Sequence, residues 1–192
     1  MALGPMLTRW NIFTAAEKNF HRGRRQLIGQ VISERSMRVF EPTIIKQIDT
    51  FIQNVLRESQ KSSPVNMTTY TRRLGLNIAG LLAFGYDLRL QTEEQNRFMQ
   101  TVLDGGGWVS SVFLQFPPAR KTKLGLVLLW PLRNVRENYL RLMETMILDR
   151  TAKPKDAEHD LYSFVADALG NEEGALRQGE IWAEANLFLS AG

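Results

Sequence analysis

The sequence of 192 residues contains no cysteine and only two histidines, His21 and His159. The absence of cysteine excludes a disulfide framework, an iron–sulfur cluster and any cysteine-ligated metal within this chain. Because the two histidines lie far apart in the sequence, we predict no histidine-rich metal site. The charged stretch 153–160 predicts a solvated linker that leaves His159 in water.

Long apolar runs are also missing. The nearest candidate, residues 124–130, is followed directly by Pro131, whereas a bilayer-spanning helix needs about 20 apolar residues. The first residues lack the charged and apolar blocks of a signal peptide. We therefore predict no transmembrane segment in this chain.

Positive charge is concentrated near the N-terminus. The formal net charge is +4, and one short stretch contains Arg22, Arg24, Arg25, Arg35 and Arg38. Such a patch attracts phosphates, carboxylates, anionic lipids or the acidic face of a protein. One hypothesis is therefore a non-catalytic helical module whose basic helix binds an acidic protein or nucleic acid. Aromatic residues do not alternate with the basic ones and no helix-turn-helix spacing is evident, so the sequence favours no nucleic-acid partner.

Helical periodicity and capping motifs account for most of the chain, and no stretch alternates with period two for long enough to form a strand. The sequence therefore predicts an all-α fold. Gly75 and Gly80 predict close helix–helix approach. The predicted helices run from about Ala15 to Ile32, from Glu41-Pro42 through Leu56, from Asn66 or Thr68 to Phe84, from Thr92 to Leu103, from Pro131 to Arg150, from Asp160 to Leu169, and from Ala175 to the end.

The second predicted helix has a regular apolar face. Its large side chains recur at helical spacing, so we expect this face to be core. The face consists of Ile44, Ile45, Ile48, Phe51, Ile52, Val55 and Leu56.

His21 and Arg25 are the first candidate site. Their spacing of four places them side by side on one face of the first helix. An imidazole and a guanidinium both donate hydrogen bonds to carboxylates, and arginine can do so as a bidentate fork. The pair therefore fits an acidic ligand, although a basic helix with a surface histidine would produce the same pattern.

Three motifs that follow one another along the chain bear on the interpretation of this pair. The first combines Asn11-Ile12-Phe13 with His21 and Arg24-Arg25, the second is Leu82-Ala83-Phe84-Gly85, and the third runs from Ile181 to Gly192. Together with Ser33-Glu34 and Glu41-Pro42, they resemble the cytochrome P-450 family in its fungal-type microsomal form. The resemblance implies that residues 1–192 are a partial cytochrome P-450 domain, truncated at both ends. It also implies that His21 and Arg25 bind heme propionates and that Ala191 and Gly192 begin the oxygen groove over the heme.

The resemblance further implies an enzyme of secondary metabolism, a heme-dependent monooxygenase that inserts one oxygen atom from dioxygen into an apolar small molecule. Its cofactor would be heme b with its iron, and its electrons would come from NADPH through a cytochrome P-450 reductase. The intact parent would lie at the endoplasmic reticulum membrane through an N-terminal helix that this chain lacks. The aromatic region 108–123 would form the lid over the substrate.

The pattern of the family is incomplete in this chain. The acid and threonine expected after Gly192, the E-x-x-R helix and the cysteine loop are absent, so no residue of the chain can provide the axial thiolate. We therefore predict that the isolated chain is inactive. A third hypothesis is a truncated product without its own function, whose final helix would expose Ile181, Leu187, Phe188 and Leu189.

Overall fold

The structure is a computed structural model that describes residue 12 and residues 16–61, 64–96, 99–101, 115, 133–165, 183–184 and 186–189. Within these ranges the secondary structure consists of helices and turns, with no strand. The predicted all-α fold is confirmed. The predicted lid (108–123) and the pair Ala191-Gly192 lie outside the described residues, apart from the helical Gln115.

Five α-helices and two short 3₁₀ turns make up most of the described chain. The helices are α1 (Lys18–Val31), α2 (Glu34–Ser59), α3 (Met67–Phe84), α4 (Arg133–Ala152) and α5 (Leu161–Val165), and the 3₁₀ turns are Glu94–Asn96 and Lys155–Ala157. Residues 183–184 and 186–189 are also helical and are called the C-terminal segment below. The bounds of α1, α3 and α4 agree with the predictions to within a few residues.

The ends of α3 follow from two residues with special backbone roles. The side chain of Asn66 accepts a hydrogen bond from the Thr69 N–H at 3.3 Å, which satisfies an early amide of the helix. Gly85 ends the helix in the left-handed conformation, with φ of +57°. Asn66 is one of the two caps predicted for this helix, and Gly85 directly follows its predicted last residue, Phe84.

The predicted start of α2 at Glu41-Pro42 is wrong. The helix begins at Glu34, because the Ser33 hydroxyl accepts a hydrogen bond from the Ser36 N–H at 3.3 Å. Pro42 consequently lies inside the helix. Proline removes one backbone donor there, and the long helix tolerates this loss.

The apolar face of α2, which its periodicity predicts to be part of the core, is largely exposed to solvent. Ile45, Ile48, Ile52 and Leu56 keep 49, 38, 46 and 58% of their surface exposed, and these four residues are called the apolar stripe below. The buried side of α2 instead carries Phe40 and the polar Gln47, where the helix packs on α3. Periodicity locates an apolar face, but it does not show whether another element covers it.

A network of buried amides joins α2 and α3. The Gln47 Oε1 accepts hydrogen bonds from the Asn77 Nδ2 at 3.1 Å and from the Gln91 Nε2 at 2.9 Å. The Asn77 Oδ1 in turn accepts the backbone N–H of Leu90 at 3.1 Å. These hydrogen bonds fix how the 88–92 segment returns against the two helices, although the buried Gln91 Oε1 has no hydrogen-bond partner among the described residues.

The main core lies between α3, α4, α5 and the C-terminal segment. Leu189 is buried in it and Phe188 packs against its edge, so the exposure expected for the final helix is wrong at Leu189. The core consists of Leu76, Ala79, Ala83, Phe84, Leu88, Leu90, Leu142, Met143, Met146, Ile147, Leu161 and Leu189.

Gly80 was predicted to allow another helix to approach closely, but the residues nearest to it belong to the segment that follows α3. A Cβ atom at this position would lie 2.9 Å from the Tyr86 carbonyl oxygen and 3.2 Å from the Leu88 side chain. The chain segment that follows α3 therefore folds back over Gly80. The nearest contacts of this position come from the returning segment, whereas the prediction was a neighbouring helix.

Candidate functional site

His21 and Arg25 lie one turn apart on α1, as predicted. His21 is half-buried and its backbone N–H donates to the Glu17 carbonyl at 2.9 Å, whereas Arg25 is exposed. Within the described residues, Arg25 forms no ion pair. A half-buried imidazole beside a guanidinium that faces solvent can donate to two acidic groups on one ligand.

Further exposed cations lie on α1 and at the start of α2. Lys18 and Arg22 are exposed on α1, and Arg35 is exposed at the start of α2. Arg38 differs, because its guanidinium pairs with the Glu34 carboxylate at 2.6 Å. The surface of α1 is therefore positive beyond the candidate pair, which favours an anionic ligand or partner.

The C-terminal segment is held by two polar contacts. The buried Glu184 accepts the backbone N–H of Ile12 through its Oε2 at 3.1 Å. Asn186 accepts a hydrogen bond from the Tyr139 hydroxyl, which extends from α4. This hydroxyl is protonated and able to donate at neutral pH, and burial raises the pKa of Tyr139 further, to about 12. The segment precedes Ala191 and Gly192, whose predicted role stays a prediction.

A buried ion pair joins the end of α4 to the start of α5. The Arg150 Nε and Nη2 donate to the two carboxylate oxygens of Asp160 at 2.5 and 3.1 Å, and both side chains are fully buried. Burial raises the pKa of Asp160, against hydrogen bonds from Arg150 and Ser163 that lower it. The prediction of a solvated stretch over 153–160 is therefore wrong at Asp160.

His159 also departs from its prediction. Its Nε2 lies 3.2 Å from the carbonyl oxygen of Ser36 and the ring is half-buried, so the imidazole contacts the first turn of α2. The two residues are 123 positions apart. Sequence periodicity contains no signal for such a pairing.

An open polar cleft of about 570 Å³ lies where the ends of α3 and α4 meet. Most of its charged groups pair with one another: Arg89 with Glu93 at 2.9 Å, and Lys153 with Asp149 at 3.1 Å and Glu158 at 3.4 Å. The Asp87 carboxylate accepts the backbone N–H of Arg89 at 3.0 Å. Because these charged side chains bind one another, we interpret the cleft as part of the solvated surface and not as a ligand site. It includes neither His21 nor Arg25.

The described residues provide neither a metal site nor a membrane span. No group of three or more histidine, aspartate or glutamate side chains is arranged to hold a metal ion. None of the helices in this part of the chain combines the length and the apolar content that a bilayer span requires.

The described residues define the class as an all-α protein with exposed basic side chains on α1. Comparison with known proteins gives the family. The family model described as Cytochrome P450 matches residues 7–192. The chain belongs to the cytochrome P450 family. No solved structure is significantly similar to it.

The similar curated proteins are fungal enzymes. A cytochrome P450 monooxygenase of Gibberella zeae is 26% identical over 188 residues, which cover 95% of this chain and 44% of the relative. Cytochrome P450 monooxygenase ataY of Aspergillus terreus is 24% identical, with 95% of this chain and 81% of the relative covered. Averantin hydroxylase of Dothistroma septosporum is 27% identical, with 93% and 34% covered. The chain thus spans less than half the length of the first of these relatives.

Proposed function

We propose that this chain is part of a heme-dependent monooxygenase that inserts one oxygen atom from dioxygen into an apolar organic substrate. The observation that carries the proposal is the family match over residues 7–192, together with the placement of His21 and Arg25 on one face of α1. A relative named as a hydroxylase supports oxygen insertion as the reaction class. When bound, heme supplies the redox chemistry and the protein supplies its position and electrostatic field.

The two candidate residues fit the propionates of heme by their donor chemistry. An imidazole and a guanidinium present N–H donors to two carboxylates, and the described residues contain no ion-pair partner that would compete for Arg25. Lys18 and Arg22, exposed on the same helix, add positive potential. Ala191 and Gly192 are proposed to line the oxygen groove above the porphyrin.

The remaining parts of the proposal concern the whole protein. Electrons would reach the heme from NADPH through a cytochrome P450 reductase, whose acidic face would dock on the exposed arginines of α1 and α2. An N-terminal helix would tether the protein to the endoplasmic reticulum membrane. The axial thiolate has to come from outside this chain, because its 192 residues include no cysteine.

Hemin titration of the purified chain tests the proposal. Replacing Arg25 with alanine removes a charge-assisted hydrogen bond and should weaken hemin binding by about tenfold or more; His21→Ala should also weaken it. Arg22→Ala is the matched control, since it removes the same charge from the same helix, and it should change the affinity by no more than about twofold.

One result would contradict the proposal, and another would contradict the predicted inactivity of the isolated chain. Equal losses for Arg25→Ala and Arg22→Ala would indicate a diffuse basic surface, as expected for a module that binds acidic partners. A thiolate-type Soret band in the reduced, carbon monoxide-treated chain would contradict the predicted inactivity of the isolated chain.

A further inference from the structure

The C-terminal segment is anchored by contacts from two distant parts of the chain. Glu184 accepts the Ile12 N–H at 3.1 Å across 172 sequence positions. Asn186 accepts the Tyr139 hydroxyl across 47 positions. Each contact reaches the segment from a different element, so neither follows from the helix itself.

The two contacts act on different sides of the segment. Residues two positions apart in an α-helix differ by about 200° around its axis, because a turn contains 3.6 residues. Glu184 and Asn186 therefore extend in nearly opposite directions. Apolar packing resists sliding, but it is non-directional, whereas a pair of hydrogen bonds on opposite sides also resists rotation about the helix axis.

Tyr139 is the member of this arrangement that can be tested without disturbing the core. Its ring packs against the buried cluster of α3, α4 and the C-terminal segment. Its hydroxyl is protonated at neutral pH, as for an ordinary tyrosine, and burial raises its pKa further, to about 12. Replacement with phenylalanine would remove the hydrogen bond and leave the ring in place.

We propose that Tyr139 is a positioning residue: through Asn186 it fixes the rotation of the C-terminal segment, opposite the Glu184 contact. The chain continues from this segment to Ala191 and Gly192, the proposed oxygen groove, so the inference rests on the proposed function. A segment that turns about its axis would present a different backbone face over the heme. Tyr139 itself would not touch heme, oxygen or substrate.

Hydrogen–deuterium exchange of the purified chain tests the anchor directly. In Tyr139→Phe and in Asn186→Leu we expect the 183–189 peptide to exchange about two- to tenfold faster, the range that one hydrogen bond accounts for. A peptide from α3 should be unchanged. The double variant should exchange no faster than either single variant, because both remove the same bond.

Two controls make the result specific. Tyr86→Phe removes a hydroxyl from another tyrosine packed against the same core, and it should leave the 183–189 peptide unchanged. Asn186→Asp keeps an acceptor oxygen and should stay within about twofold of the wild type. The inference would be overturned if Tyr139→Phe exchanged like the wild type at 183–189, or if exchange rose equally in all peptides.

The affinity of the hemin-loaded chain for cyanide reports on the iron face that the segment would cover. We expect Tyr139→Phe to retain the hemin affinity of the wild type. The dissociation constant for cyanide should change by about threefold or more, a change that the loss of one hydrogen bond can account for. Unchanged cyanide affinity would overturn the positioning role. If hemin does not bind at all, the proposed function fails, and the exchange experiment still decides whether Tyr139 anchors the segment.

Discussion

Gly85 ends α3 with φ of +57°, a backbone conformation that costs other residues about 1–2 kcal/mol. A Cβ atom there would also lie 2.8 Å from the Glu158 Cβ and 2.9 Å from the Asp160 Oδ2. We therefore expect Gly85→Ala to lower the free energy of unfolding by at least about 2 kcal/mol. Urea denaturation monitored by circular dichroism measures this change.

Gly29 provides the matched control. It lies inside α1, and a Cβ atom there would meet nothing within 4 Å. Gly29→Ala should therefore raise the free energy of unfolding by about 0.5–1 kcal/mol, because alanine restricts the unfolded chain. Equal effects of the two substitutions on the free energy of unfolding would show that the left-handed conformation of Gly85 does not require glycine at this position.

At the residue scale, the sequence predicts what depends on near neighbours. Asn66 and Gly85 were identified as helix ends because capping residues act within a turn of their own position. His159 and Asp160 were misread because their partners, Ser36 and Arg150, come from other elements. A charged stretch is predicted to be solvated from its composition alone, because the sequence does not show which distant residue will bind it in the folded protein.

At the scale of elements, the buried pair between Arg150 and Asp160 holds α4 to α5. Asp160→Asn would leave the fully buried guanidinium without its counter-ion. Such a loss costs about 3–5 kcal/mol of unfolding free energy. Thermal and urea unfolding of the variant would measure it.

The pair between Arg38 and Glu34 is the control for that substitution. Its side chains are 74 and 82% exposed, so Glu34→Gln should have little effect on stability. A similarly small effect of Asp160→Asn would contradict the structural role assigned to the buried pair.

The helices themselves were predictable to different degrees. α1, α3 and α4 have clear periodicity and capping signals, and their bounds were predicted closely. The start of α2 was missed because Pro42 is common in the first turn of a helix, whereas here Ser33 provides the cap eight residues before Glu41-Pro42 begins. The C-terminal segment was predicted as helical, but its anchors at Ile12 and Tyr139 were not, because long-range hydrogen bonds leave no periodic signal.

At the scale of the whole molecule, the apolar stripe on α2 is an extended apolar surface that no other described element covers fully. Replacing Ile48 and Ile52 with glutamine should reduce binding of a dye specific for exposed apolar surface by about half, since two of the four stripe residues lose their apolar character. The free energy of unfolding should change by less than about 1 kcal/mol, because neither side chain is buried.

Val39→Gln is the control for the stripe. Val39 is also exposed on α2, but it does not share the spacing of the stripe residues and should contribute little to dye binding. If dye binding were unchanged in the double variant, the stripe would not be a continuous apolar surface in solution.

The candidate site was predictable only in part. The spacing of His21 and Arg25 shows that they share a helix face, and the resemblance assigns them a ligand. Their different burial, with His21 half-buried and Arg25 exposed, depends on how α1 packs in the fold, which the sequence does not contain.

The central claim is that His21 and Arg25 bind the two carboxylates of heme, and the most direct measurement compares hemin with its dimethyl ester, which lacks both charges. We expect the wild-type chain to bind hemin about tenfold or more tightly than the ester, and we expect Arg25→Ala to reduce this ratio of affinities by a similar factor. A ratio near one in the wild type, or one that Arg25→Ala leaves unchanged, would contradict the claim.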